Sequence, residues 1–238
     1  MGFSEDMRNT CSVSWQQAVQ HQFTKELKEK SLASDVFTRY LLQDYAFLSA
    51  LLSAFGHCLG HAPDLSAKKR LSVFMNHLCL DEIPFFIRSF QDLGVAADVF
   101  QAYEAPFGPR VKAGPHGHPA LTDTTIAFKE LLTSTSLEGY AQGLAALVPC
   151  EWIYQTWAAA SDGDQQQQQH QHEATAEDAW RKLHTDNAFQ EFVGWLRGEL
   201  DREAAATNEH TRQQLAEIFA KVVDLEVAFF SAAYTGRG

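Results

Sequence analysis

At 238 residues and 45% hydrophobic content, the chain has enough apolar material for one substantial core, and a single domain over 1–238 is the simplest organisation. Nineteen Lys and Arg against thirty Asp and Glu leave a formal charge of −11, which repels nucleic-acid phosphates and anionic membrane surfaces and argues against binding to either. Cys11, Cys58, Cys79 and Cys150 are scattered without C-x-x-C spacing, and the opening MGFSEDMRNTCSVSW has no basic segment followed by an apolar run. The expectation is a cytoplasmic protein with reduced thiols and no structural zinc.

In chain order, residues 4–30 carry Trp15, Val19 and Phe23 at four-residue intervals and predict an amphipathic first helix. After Ser34-Asp35, read as an N-cap, the residues Phe37, Leu41, Leu48, Leu51 and Phe55 repeat at helical spacing up to Gly56 and Gly60. Asp44 lies inside that stripe, between Leu41 and Leu48, so this acid faces inward. A third helix over 66–92 places Leu71, Phe74, Leu78 and Ile83 on one face, with a kink at Pro84. A short helix near 95–103 leads into a Gly- and Pro-rich loop at 105–119, whose His116 and His118 are read as a solvated turn.

A fifth helix near 122–137 has Ile126, Phe128, Leu131 and Leu132 as its apolar set. The next stretch, AQGLAALVPCEWIYQTWAAAS at 141–161, is almost wholly apolar and carries Pro149, Cys150 and Glu151 near its centre. A bilayer span would place Glu151 close to the midplane at a cost of about 2.5–3.5 kcal/mol, so a core helix of a soluble protein is the cheaper reading. The polar, low-complexity SDGDQQQQQHQHEATAED that follows predicts a disordered loop at 161–178, with His170 and His172 incidental. Residues 177–205 supply one or two amphipathic helices through Trp180, Leu183, Phe189, Phe192, Trp195 and Leu196. The last helix, about Glu209 to Ala233, carries Leu215, Phe219, Val222 and Phe229, with Glu226 on the same stripe. No run alternates in the manner of a strand, so the class is all-α, an irregular single-domain bundle of seven to eight helices.

Asp44, the Cys150/Glu151 pair and Glu226 thus bring ionisable groups to the buried faces of three helices. Taken singly, each reads as a core polar group bonded to tyrosines and backbone. Together they are harder to explain that way, because each unsatisfied buried polar group costs about 1–3 kcal/mol and a charged one more. Convergence on one cavity is the economical account. A thiol beside carboxyls in an apolar cavity suits nucleophilic catalysis, with a carboxyl of raised pKa as proton donor and a further acid to hold a basic heterocycle. Metal chemistry lacks its constellation, since Glu82, Glu151 and Glu226 are followed at i+3 and i+4 by Phe, Tyr or Gln and not by His or a carboxylate. The His57/His61 pair flanks Gly60 at a helix end and reads as facing water.

LAALVPCEWIY at 144–154, with YLLQDYAFL at 40–48 and LEVAFFSAAY at 225–234, resembles the TenA family, the thiaminase II or aminopyrimidine aminohydrolase proteins of heme-oxygenase-like fold. The likeness runs from Trp15 to Tyr234, leaving out the Gln-rich insert. What the resemblance implies is a cofactor-free, homo-oligomeric (tetrameric or dimeric) hydrolase that frees hydroxymethylpyrimidine for thiamin salvage. On that basis Asp44 would hold the aminopyrimidine, Phe47 border it, Cys150 act as nucleophile and Glu226 as general acid/base, with Tyr154 and Phe229 lining the pocket. The chain departs from the family pattern in three places. Phe128 stands where the family often has a tyrosine supporting the cysteine, and His184 matches another frequent pocket tyrosine. Glu151 stands where cysteine-free relatives use a glutamate, so this chain has both candidate groups. The competing reading is a non-catalytic pyrimidine-binding or interaction module on the same fold.

Overall fold

The computed structural model describes residues 2–104, 120–160 and 175–237. His116, His118, His170 and His172 therefore lie outside the described residues, as does the expected loop over 161–174. From Thr175 the chain is already the cap and first turn of a helix, so that loop ends sooner than 178. Among the described residues every regular element is helical: α1 Phe3–Thr10, α2 Ser12–Val19, α3 Gln22–Glu29, α4 Ser34–His61, α5 Leu65–His77, a π-turn Leu78–Glu82, α6 Ile83–Asp92, α7 Ala97–Tyr103, α8 Asp123–Glu138, α9 Tyr140–Ala159, α10 Ala176–Leu183, α11 Asn187–Ala206 and α12 Glu209–Thr235. No described helix is long and apolar enough to cross a membrane.

The count exceeds seven to eight because the stretches 4–30 and 66–92 are divided and 177–205 forms two helices. The stretch 4–30 forms three short helices: His21 breaks it by capping α3, its ring nitrogen accepting from Phe23 N–H, while Thr24 Oγ1 donates back to the Val19 and His21 carbonyls. Trp15, Val19 and Phe23 stay buried across the break, so periodicity survived where continuity did not. The 66–92 helix is interrupted by the π-turn. Pro84 has no N–H and its ring would collide with the carbonyl four residues back in an α-helix. Widening the preceding turn accommodates it, and Pro84 then sits in the first turn of α6, where an N–H is dispensable. The register that results leaves Leu80 outside and turns Leu78 and Glu82 inward.

α9 runs through the middle of the bundle against α4, α8, α11 and α12. It is buried on every side from Gly143 to Ile153, which explains an apolar sequence with no polar face. The helix continues through Pro149. Around it, side chains lock helices to one another. Gln43 donates to the Ala120 carbonyl and accepts from Thr122 N–H and Thr125 Oγ1, fixing the start of α8 on α4. Arg39 donates to the Ala233 and Tyr234 carbonyls and so neutralises the C-terminal end of α12. The expected Ser34-Asp35 cap is not made: Ala33 is the N-cap, with Asp35 in the first turn, where it favours the helix dipole.

At Gly143, α9 passes so close to α4 and α8 that a Cβ would collide with the Cys58 sulfur and press on Ser136 Cα at 3.4 Å. Gly143→Ala is expected to destabilise the fold by about 1–3 kcal/mol, the usual cost of overpacking, read as a lower midpoint in urea unfolding.

Candidate functional site

A narrow cavity of about 30 Å³ lies between the core helices. α4 contributes Asp44, Phe47, Leu48 and Leu51, and the π-turn contributes Glu82. Cys150, Glu151 and Tyr154 come from α9, Trp180 from α10, His184 from its C-terminal end and Glu226 from α12. A larger surface groove of about 540 Å³ between α4 and α8 has only Lys129 and Glu130 as ionisable lining, so converging chemistry belongs to the smaller space. The small cavity is far below the roughly 300–1,000 Å³ of drug-sized sites, so even one heterocyclic ring has to part its walls.

Four carboxyls and a thiol share this space, and no Lys or Arg lines it. Burial pushes Asp44 up to about 7, against the hydrogen bond from Tyr40 that favours its ionised form. Glu151 is raised to about 8 by burial and then by the nearby Asp44. Glu82 is held well above the usual carboxylate range by burial, then by Asp44 and Glu151. The same causes raise Glu226, opposed by its interaction with Cys150. Burial, then Glu226 and Glu151, lift the Cys150 thiol well above its ordinary value, so it rests protonated and donates to the Ala146 carbonyl at 3.3 Å. These groups titrate as one coupled set.

The remaining polar groups are partly committed. The hydroxyls of Tyr40 and Tyr154 bond to each other at 2.9 Å. Burial lowers His184 to about 4, and its Nδ1 lies 2.9 Å from the Trp180 carbonyl. A neutral ring making that bond donates from Nδ1 and keeps Nε2 as an acceptor. Three buried polar atoms of cavity-lining residues have no partner: Asp44 Oδ2, Glu226 Oε2 and Trp180 Nε1. Unfilled, buried capacity of this kind is what a polar ligand would satisfy.

Of the residues singled out from sequence, Asp44, Phe47, Cys150, Glu151, Tyr154, His184 and Glu226 are brought together around the cavity. Cys150 and Glu151, although about 100° apart on their helix, both reach it. Phe128 and Phe229 do not line it: their rings stand 4.7 and 6.1 Å from that of Phe47, and they form the layer behind it. Both rings are buried and fill the space between α4, α8 and α12, where they back Phe47. Glu82 and Trp180 were missed as lining residues. In the sequence Trp180 stands out only as one member of an apolar stripe, and Glu82 only as a carboxylate without metal-ligand spacing. The readable signal for Glu82 was Pro84, whose consequence for the preceding turn sets the direction of the side chain. Among the described residues no group of three or more His, Cys, Asp and Glu side chains could hold a metal ion.

An all-α bundle that gathers four carboxyls, a thiol and aromatic rings around one small buried space presents a candidate small-molecule site. The chain matches the TENA/THI-4/PQQC family over residues 10–110 and 120–236, and it belongs to that family. It is 25% identical over 240 residues to an aminopyrimidine aminohydrolase of Halalkalibacterium halodurans, covering 100% of this chain and 97% of the relative. A second protein of that name, from Helicobacter pylori, is 22% identical, with 98% and 99% covered. The solved structure of a TenA homologue from P. horikoshii OT3 superposes with a TM-score of 0.79 at 19% identity, covering 99% of this chain and 100% of that one, which shows a shared fold.

Raised carboxyl pKa values are a stability cost with a definite pH window. The unfolded chain loses the protons of Asp44 and Glu151 near pH 4, whereas the folded chain keeps them to about 7 and about 8. Between those limits the folded state binds more protons, so stability falls as pH rises and levels off above the folded values. The combined Asp44→Asn, Glu151→Gln chain is expected to lose less stability than the parent between pH 5 and 8, measured as urea midpoints at each pH. Parallel pH profiles for the two chains would show that these carboxyls ionise normally.

Proposed function

We propose that the chain hydrolyses an aminopyrimidine carrying an aminomethyl or formylaminomethyl group, and thiamin in the same manner, to give hydroxymethylpyrimidine for thiamin salvage. The observation that carries this reading is the Cys150 thiol set against Glu226 in a closed cavity that also holds Asp44. The family, and two full-length relatives named aminopyrimidine aminohydrolase, support the substrate class.

In this reading Asp44 holds the ring through a ring nitrogen and the exocyclic amine, while Phe47 borders it. The Cys150 proton passes to Glu226 as sulfur attacks the ring. Glu226 then delivers that proton to the leaving nitrogen of an aminomethyl substrate, the carbon–nitrogen bond at the methylene breaks, and the amine departs; from thiamin the positively charged thiazole leaves neutral with the electron pair of that bond, takes no proton, and the proton goes to solvent. Water adds to the exposed methylene carbon and gives a proton to Glu226. The carbon–sulfur bond breaks, the thiol regains its proton, and the balance is water consumed and amine released. Burial suits both catalytic groups to this exchange, since a carboxyl and a thiol with raised pKa values pass a proton between them without either holding a lasting charge. Glu151, between Cys150 and Asp44 in electrostatic reach, stabilises the protonated ring.

A merely degenerate pocket is the weaker reading. Phe128, whose missing hydroxyl prompted it, stands behind Phe47, so no polar group is absent from the cavity wall on its account. The test is release of hydroxymethylpyrimidine from the aminomethyl and formylaminomethyl pyrimidines and from thiamin. Cys150→Ser and Glu226→Gln are each expected to lower kcat/KM by about 10²–10⁴-fold. If Glu151→Gln abolishes turnover while Cys150→Ser leaves it intact, the nucleophile assignment is wrong. A parent chain that releases product from none of the three overturns the enzymatic reading.

A further inference from the structure

The steps above leave one carboxyl of the cavity idle. Glu82, the last residue of the π-turn, is 8% exposed and lines the same space as Asp44. Its electrostatic neighbours are Asp44 and Glu151, whereas those of Cys150 are Glu226 and Glu151. Asp44 and Glu151 are also the charge neighbours of Glu226, so the four carboxyls form one cluster, in which Glu82 stands on the side that faces Asp44 and Glu151. On that side Asp44 Oδ2 is buried without a partner, which marks unfilled capacity that a ligand would meet.

Granted an aminopyrimidine substrate, as proposed above, hydrogen-bond accounting on that side is informative. A protonated ring nitrogen beside an exocyclic amine presents three N–H donors: one on the ring and two on the amine. A single carboxyl takes the ring N–H and the inner amine N–H as a bidentate pair, and it cannot also reach the outer amine N–H on the far side. In a buried site, an outer N–H without an acceptor loses its hydrogen bond to water and gains nothing.

We propose that Glu82 is the acceptor for the outer N–H of the exocyclic amine, a specificity-determining residue that makes the site select an unsubstituted 4-amino pyrimidine over N-alkylated or oxo analogues. Asp44 and Glu82 then clasp the amine from two helical elements, and the π-turn is what brings the second carboxyl into position. Selection of this type is strong because the wrong ring leaves a buried polar group on the protein unmatched.

The experiment is a binding cycle with ligands that have no leaving amine, so turnover plays no part: hydroxymethylpyrimidine and the same molecule with a methylated 4-amino group. Each is titrated calorimetrically into the parent, Glu82→Met and Glu82→Gln chains, with melting temperatures recorded beside them. The parent is expected to bind the methylated ligand about 10–100-fold more weakly than the unsubstituted one. Glu82→Met, which fills the space without an acceptor, loses at least about 10-fold for the unsubstituted ligand and abolishes the discrimination, while Glu82→Gln keeps a carbonyl acceptor and stays within about 3-fold of the parent. Equal loss of both ligands in Glu82→Met, unchanged discrimination in that chain, or a Glu82→Gln chain as impaired as Glu82→Met would each overturn the assignment. A parent that discriminates as expected but hydrolyses nothing removes the enzymatic reading and leaves the role of Glu82 standing. A parent that binds neither ligand removes both.

Discussion

Burying four carboxyls and a thiol with no basic side chain among them is the constraint to which the rest of the molecule answers. Ionised, these groups would repel one another in a medium that screens poorly, and each would forfeit its hydration. The structure resolves the conflict by protonation, since burial raises all five above their ordinary values. A site built this way rests close to electrical neutrality and ionises when something basic arrives to take a proton. The cost of burying the acids and the capacity of the site to give up a proton are two sides of one arrangement.

Holding that many acids in place requires walls that cannot relax around them. Aromatic rings supply the rigidity. Tyr40 packs against Phe23, Phe37, Trp180 and Phe229, and Tyr154 against Trp157, Trp180 and His184. The hydroxyl pair Tyr40–Tyr154 ties α4 to α9 directly beside the acids. Phe47, which lines the cavity, is backed by Phe128 and Phe229, so it cannot swing away without disturbing α8 and α12. His184 belongs to this layer as much as to the cavity: kept neutral by burial, it offers a shape and an acceptor without adding a cation that would pull protons off the carboxyls.

Much of this was legible in the amino-acid sequence, for reasons that differ by residue. Asp44 and Glu226 could be placed because each interrupts a long apolar stripe at helical spacing, and α4 and α12 are long enough for the phase to hold. Cys150 and Glu151 could be placed in the core but not oriented, because α9 is apolar all round and has no phase to read. Phe128 and Phe229 lie one ring behind Phe47, a layering the sequence does not reveal. Periodicity reports which face of a helix is buried, and it is silent on whether that face meets a cavity or another ring. The division of 4–30 into three helices escaped notice because its cause is a side-chain cap at His21 that leaves the spacing of Trp15, Val19 and Phe23 intact.

Proline stands beside an acid in two of the cavity's walls, and the physical consequence is shared. Pro149 lies inside α9 one residue before Cys150, and Pro84 lies two residues after Glu82 at the start of α6. Each removes one N–H from a helical ladder and crowds the carbonyl of the preceding turn. At Pro84 the helix responds by widening into the π-turn that brings Glu82 inward. At Pro149 the helix stays α-helical, and the thiol of Cys150 bonds to the backbone carbonyl of Ala146 in the adjacent turn. Regular α-helices would bury apolar faces more cheaply at both places. In both places a backbone donor is given up beside a side chain that lines the cavity, so the departures from a regular ladder fall where side-chain direction matters as well as packing.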